Sequence, residues 1–410
     1  MMSRDELGHR SETVRRANLS AIVRELHVSG PLSRSELVSR TGLTRSAIRG
    51  LLGELVAGNL AIEGPAALDG TPGRPSPVVR PDAHGRVVLA LEIAVDSLAA
   101  AAVGLGGEVL ELVRVDLPRG RSSLTPIVDA LADLASTVRA ALPADDVIIG
   151  TGVAMVGVVR RSDGMVSMSP NLGWRDEPLG ARLADALAMD VPIAIANESD
   201  LAVLAEHRRG AARGVDDVLL VWGSVGVGGG LIVNGEPLTG SAGYSGEVGH
   251  IPVNPDGLPC RCGSIGCWET EVGSSALLRR AGHPPEGGHE AIAALLREAE
   301  GGSPKALEAF AATGRWLGIG LAGVINVLNP DLVLLGGGLA PAYPYVRSTL
   351  EAELDRRVLR AARQLVRVVP TTLGEEAPLR GAAELAFEPL LTDPAAWLRP
   401  RSSLVALASA

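Results

Sequence analysis

Between Glu247 and Glu269 the chain reads EVGHIPVNPDGLPCRCGSIGCWE, and every cysteine of the 410-residue sequence lies within it. Cys260, Cys262 and Cys267 fall within eight positions, and His250 lies ten residues before the first of them. Three thiolates and one imidazole make a complete tetrahedral set for Zn²⁺. Gly257, Gly263 and Gly266 punctuate the run, and glycine permits the tight reversals that would bring these side chains to one ion. The competing reading is buried packing cysteines, or a disulfide between two of them. With all the thiols in one knot, the spacing predicts a structural zinc.

The length exceeds what one hydrophobic core supports and predicts two or three domains. Apolar residues make up 46% of the chain but aromatics only 2%, so the core must be built from Ala, Val, Leu and Ile. No apolar run is both long and uncharged enough to span a bilayer. The N-terminal stretch MMSRDELGHRSETVRR lacks the apolar centre of a signal peptide. Free cysteines in a metal-type cluster suit a reducing compartment. The expected location is the cytoplasm, with no membrane partner.

The net charge of −9 hides an asymmetry. Residues 1–86 carry 12 Arg and 9 Asp+Glu, hence +3; the remainder carries 26 basic and 38 acidic residues, hence −12. A mildly basic head on an acidic body is the pattern expected if only the head meets phosphates.

In that head, Val14, Leu19, Ile22, Val23 and Leu26 approximate a helical stripe over 11–27. Gly30-Pro31 ends it. Ser33 opens a short helix, with Glu36 three residues on as a capping box. Thr41-Gly42-Leu43 is a turn, and Thr44 opens a third helix that ends at Gly58. Two short helices joined by a glycine turn make the helix-turn-helix pattern. The start of its second helix meets base edges, here Thr44, Arg45, Ser46 and Arg49, with Ser33 and Arg34 at the start of the first. Leu60-Ala61-Ile62 reads as a strand and TPGRPSPVVR (71–80) as its returning wing. Gly73-Arg74-Pro75 is suited to present Arg74 to a phosphate or the minor groove. A plain helical bundle with solvated arginines is the alternative, and the wing segment weighs against it.

The body begins at 87 with strand, strand, Gly106-Gly107 turn, strand, a helix at about 124–141 and a strand at 147–153. A second start at 217 repeats two strands around a glycine-rich bend. Helices follow from 273 to 329, then strand 332–338, a helix over 342–363 and strand 366–371. Two hairpin-led α/β halves predict a duplicated fold with a ligand cleft between them.

The run GVGGGLIVNGEPLTGSAGYSGEVGHIPVNPDGLPCRCGSIGCWET (226–270) resembles the signature of the ROK family of repressors, open reading frames and sugar kinases. The likeness extends over essentially the whole chain. It implies an α/β fold in which an N-terminal winged helix-turn-helix precedes a duplicated actin-like, ribonuclease H-type domain with a zinc knot. It implies that His250, Cys260, Cys262 and Cys267 hold a structural zinc. It further implies that sugar hydroxyls are held by Asn171, Asn197, Glu198, Glu247, His250 and Glu269. Carboxylates and amide oxygens are the acceptors such hydroxyls need.

Phosphate chemistry is where the chain departs from the kinases of that family. Their first phosphate loop reads Asp-x-Gly-Gly-Thr; here Glu92-Ile93-Ala94-Val95-Asp96 has neither glycine and adds an acid. Their second reads Gly-Thr-Gly-x-Gly-Gly-Gly; here Ser224-Val225-Gly226-Val227-Gly228-Gly229-Gly230 lacks the threonine. The base Asp of Asn-Asp is replaced by Glu198, and an ångström of misplacement can cost on the order of 10²-fold. Gly336-Gly337-Gly338-Leu339 survives as a relic of the adenosine side.

The expected protein is a non-enzymatic, sugar-responsive DNA-binding regulator, a repressor of carbohydrate genes. Its expected partners are operator DNA, a sugar or sugar phosphate and a second copy of itself, since a helix-turn-helix reads paired half-sites. The expected divisions are 1–63 for the DNA-binding head, 64–86 for wing (to about 80) and linker, 87–392 for the sugar-binding domain and 393–410 for a tail. The alternative is an active ATP-dependent sugar kinase with a DNA-binding head.

Overall fold

The computed structural model describes residues 4–64, 77–118 and 120–398. The leading helix, Arg4–Ser29, is longer than its stripe predicts. It buries Leu19, Ile22, Val23 and Leu26 almost completely. Helix Arg34–Thr41 follows with the expected capping box: the Ser33 hydroxyl accepts from the Glu36 amide at 3.2 Å, and the Ser33 amide donates to Glu36 Oε2 at 2.7 Å. Gly42 turns the chain at φ 70°, and Thr44 caps helix Arg45–Ala57. Strands Ala61–Gly64 and Val78–Pro81 pair antiparallel, and Leu32–Ser33 joins the outer side of the second. Arg74 lies outside the described residues.

The two body sheets have the same topology. In the first, Arg86–Ile93 pairs antiparallel with Ser97–Gly104, which pairs antiparallel with Val109–Asp116; on the other side lie Val147–Met155 and Ile193–Asn197, both parallel. In the second, Val218–Gly223, Val227–Val233 and Glu236–Pro237 form the antiparallel run, with Leu332–Gly337 and Arg367–Pro370 parallel on the far side. Strands buried on both faces read as continuous apolar runs, as LVLL at 332–335 does. A small antiparallel sheet, Val158–Arg160, Met165–Ser169 and Trp174–Glu177, stands beside the first.

Three elements differ from the sequence reading. The helix read as 342–363 is Leu339–Arg357 followed by a separate turn, Arg360–Arg363. The Asn326 side chain causes the break: it accepts from the Leu359 amide at 2.9 Å and donates to the Arg357 carbonyl at 3.1 Å. Helix Pro304–Leu328 is long and apolar enough, by length and composition alone, to cross a bilayer, contrary to the reading that no such run exists. Half of its apolar window is buried, with Phe310, Leu317, Leu321 and Ile325 in the core of the second half. The C-terminal helix, Ala377–Thr392, was not foreseen. It is buried nearly all round, so it shows no amphipathic stripe.

That helix positions everything else. A Cβ at Gly152 would overlap the Ala382 carbonyl, and one at Gly381 would overlap the Leu201 carbonyl. The two glycines let the C-terminal helix wedge between the first sheet and helix Glu198–Arg209. Its Phe387, Leu390 and Leu391 share one apolar cluster with Leu19, Ile22 and Leu26 of the leading helix. The Ser20 hydroxyl donates to the Leu391 carbonyl at 2.6 Å.

A buried charge network closes this junction. Glu384 is 2% exposed. It accepts from His27 Nε2 at 3.0 Å, Arg208 Nη1 at 2.9 Å and Arg209 Nε at 2.5 Å. His27 Nδ1 accepts from the Gly106 amide at 3.0 Å, and Nε2 lies between the Glu384 carboxylate and Arg209 Nη2, 2.8 Å away. Burial holds the His27 imidazole below its ordinary range. Burial alone would raise the Glu384 carboxyl, but His27, Arg209 and Arg208 together hold it well below the usual value.

Candidate functional site

The cysteine loop folds back on itself as its glycines require. Pro252 bridges Cys267 and Pro259 bridges Ile265. Gly266 sits at φ 66°, where a Cβ would strike the Asn254 carbonyl. The ligand atoms of His250, Cys260, Cys262 and Cys267 all lie within 4.8 Å of one another. Cys262 Sγ and Cys267 Sγ are 3.7 Å apart, as are Cys260 Sγ and His250 Nδ1. Those separations exclude a disulfide, whose sulfurs sit at ~2.05 Å. They match the edge of a tetrahedron whose corners lie ~2.3 Å from its centre. The cluster can therefore hold a metal ion. His250 Nε2 points the other way, 3.7 Å from Glu247 Oε2, which is how a carboxylate orients a ligating imidazole.

All six side chains expected to meet a sugar line one cavity beside this loop: Asn171, Asn197, Glu198, Glu247, His250 and Glu269. The cavity is narrow, about 70 Å³. It shares Asn171, Arg261 and Glu269 with a second hollow of about 170 Å³, and Glu198 with a third of about 520 Å³. Together these form a groove between the two halves.

Each side chain is placed by its element. Asn197 ends the last strand of the first sheet and caps helix Glu198–Arg209, its Oδ1 accepting from the Ser199 amide at 2.7 Å. Its Nδ2 donates to the Gly157 carbonyl at 2.9 Å, so one lone pair and one proton remain for a ligand. Glu269 Oε1 lies 2.8 Å from Cys260 Sγ. A Cβ at Gly226 would press on Glu269 Oε2, and one at Gly228 would press on Ser199 Oγ. The surviving glycines of the second loop thus permit close packing around the groove and need no nucleotide to explain them.

Glu198 differs from the others. It is 8% exposed and makes no hydrogen bond or ion pair among the described residues. Burial, then the neighbouring Glu92 and Asp96, push its carboxyl up to about 8. Asp200, one residue further, is held by Arg161 Nη2 at 2.9 Å; burial outweighs that partner and pushes it to about 6.

The sequence did not reveal Arg261, whose Nη1 donates to Asn171 Oδ1 at 2.6 Å across the groove. Its position between two cysteines was the available signal, since it places the guanidinium on the cysteine loop beside the groove.

In the N-terminal head, Thr44, Arg45, Ser46 and Arg49 are all exposed along the start of helix Arg45–Ala57. Arg34 is instead tied to Glu63 at 2.6 Å, and Ser33 is spent on its cap. Gly50 and Gly53 lie within the same helix with open space where a Cβ would point.

A family profile described as the ROK family matches residues 88–388. The xylose repressor of Bacillus subtilis (strain 168) is 28% identical over 382 residues, covering 92% of this chain and 97% of the repressor. The glucokinase of Streptomyces coelicolor is 30% identical over 320 residues, covering 74% of this chain and 98% of the enzyme. A crystal structure of a ROK family transcriptional regulator, a homologue of the E. coli Mlc protein, superposes with a TM-score of 0.73 at 26% identity, covering 94% of this chain and 97% of that one.

Proposed function

The chain belongs to the ROK family, and from that premise we propose that it is a sugar-responsive transcriptional repressor that has lost kinase activity. The observation that carries the reading is a contrast across Glu198. On one side, six hydrogen-bonding side chains converge at a His/Cys cluster able to hold a metal ion. On the other, where a kinase would seat phosphates, the wall carries Glu92, Asp96 and Glu375. Val95 keeps a negative φ and is buried in the core, so that turn offers no cradle of backbone amides for an anion. Burial beside Glu92 and Asp96 pushes the Glu198 carboxyl up to about 8, which disfavours at neutral pH the ionised form that would take a proton from a sugar hydroxyl.

Zinc is the metal that best suits the cluster: three thiolates and an imidazole with no open corner make a structural site. It would brace the loop carrying Glu247, His250 and Glu269. The first 87 residues lie outside the family match; their helices and three-stranded sheet suit a winged helix-turn-helix. Thr44, Arg45, Ser46 and Arg49 would read operator bases. Arg34 and Ser33, already engaged, would hold the unit together. The reader works as a homodimer on paired half-sites. The xylose repressor and Mlc-like relatives support this reading over the glucokinase.

Helix Glu198–Arg209 supplies the coupling. It starts at the sugar cavity and ends at Arg208 and Arg209, which hold Glu384 opposite His27 of the leading helix. Twelve residues span ~18 Å. A sugar that shifts the start of this helix moves the charges that fix the head, and so changes the relative stability of the two DNA-binding states.

The test pairs a gel shift on DNA upstream of its own gene, with glucose and xylose as effectors, with an ADP-release assay on the same sugars. Sugar-dependent release without turnover is expected. Multiple turnovers with magnesium-dependent ATP binding would refute the loss of kinase activity.

A further inference from the structure

The 520 Å³ cavity on the far side of Glu198 is strongly acidic. Seven carboxylate side chains line it, against Arg114 and His289. Arg114 is already engaged, with Nη2 on Glu92 Oε2 at 2.8 Å and Nη1 on Ser97 Oγ at 3.1 Å. His289 Nε2 lies 3.4 Å from Asp96 Oδ2.

Acidity alone would describe many solvated clefts. Two further observations point to a ligand. Glu198 is more than nine-tenths buried, lines this cavity and has no hydrogen-bond or ion-pair partner among the described residues, and a buried carboxyl without one is costly. Trp222, 5% exposed, lines the same cavity. An aromatic ring beside carboxylates is the setting in which ammonium groups are recognised. The carboxylates are also too dispersed to chelate: among the described residues, only the His250–Cys267 cluster brings three or more ligand atoms together. A compact metal ion would satisfy one corner of the cavity, whereas an extended cation would reach several.

We propose that this cavity binds an organic polycation of the diamine or polyamine class, one ammonium group seated by Glu198 and Trp222 and another by Asp96 and Glu375. The site stands apart from the sugar cavity except for the shared wall at Glu198. A polyamine there would be sensed by the first residue of the helix that runs to the head. An ammonium there would favour loss of the Glu198 proton, leaving a carboxylate–ammonium pair that braces the two halves against each other.

Calorimetric titration of the full chain with spermidine at fixed ionic strength tests this, with magnesium chloride as the second titrant. Saturable spermidine binding is expected, with magnesium binding weaker. Glu198→Gln should lower spermidine affinity by about tenfold or more, because the buried charge partner is lost. Asp96→Asn should lower it several-fold while leaving the thermal shift with glucose or xylose unchanged. That second arm separates failure here from failure of the sugar reading. A spermidine isotherm that does not saturate, that magnesium reproduces at equal ionic strength, or that both variants leave unaltered would overturn the proposal.

Discussion

Replacing Glu384 by Gln probes the junction between the head and the rest of the chain. The side chain is buried, and three cationic or hydrogen-bonding groups converge on it: His27, Arg208 and Arg209. Glutamine keeps the volume and one carbonyl acceptor, but its amide protons then face two guanidinium groups. Breaking a buried ion network by removing one partner costs ~3–5 kcal/mol. Here the orphaned groups keep other partners. Arg208 retains Glu388 at 2.8 Å, and Arg209 retains the carbonyls of His27 and Gly106 at 3.0 and 2.7 Å. The expected loss is therefore ~2–3 kcal/mol. Urea unfolding followed by tryptophan fluorescence reads it, since Trp397 packs against the same cluster. Sugar-induced release from DNA should weaken in parallel. The acid limb of the stability curve should flatten as well. The depressed Glu384 carboxyl stabilises the fold above its ordinary value of 4.5 and ceases to as pH falls through its lower folded value. His27, held neutral by burial, lets the unfolded chain bind the extra proton below 6.5. An unchanged unfolding midpoint together with an undiminished sugar response would refute the reasoning.

Cys262→Ser should remove one corner of the metal cluster; elemental analysis is expected to show loss of zinc, and the body should unfold earlier. Gly53→Ala should stabilise the head by about 0.5–1 kcal/mol through helix propensity, yet weaken operator binding if that bare surface admits a close DNA approach; thermal unfolding and gel shift on the same sample decide it. Arg49→Ala should lower operator affinity with no change in sugar affinity, measured by gel shift and calorimetry side by side.

The parts legible in the sequence were those set by neighbours along the chain. The Ser33–Glu36 capping box, the Thr44 cap, the turn at Gly42 and the cysteine loop all depend on groups a few residues apart. The duplicated sheets were legible because doubly buried strands leave apolar runs. The contacts that fix the head on the body were not, since His27 and Glu384 lie 357 positions apart. The C-terminal helix that carries Glu384 gave no stripe because it is enclosed on nearly every side. At the groove, residue types were readable but their prior engagements were not. The Asn197 amide is spent on the Gly157 carbonyl, and Arg34 is held by Glu63, because each meets a partner that only folding brings near. The destination of Arg261 across the groove was hidden for the same reason.

The sharing of one apolar cluster between the leading helix and the C-terminal helix bears on how such a reader can be transplanted. A graft cut at the end of the wing would carry Leu19, Ile22, Leu26 and His27 to a host with no matching surface. The transplanted piece would uncover the side of the leading helix that packs on Phe387, Leu390 and Leu391, and His27 would lose its hydrogen-bond partner Glu384. A workable chimera would have to take the last helix along with the first, so the exchangeable unit is discontinuous: it comprises both ends of the polypeptide.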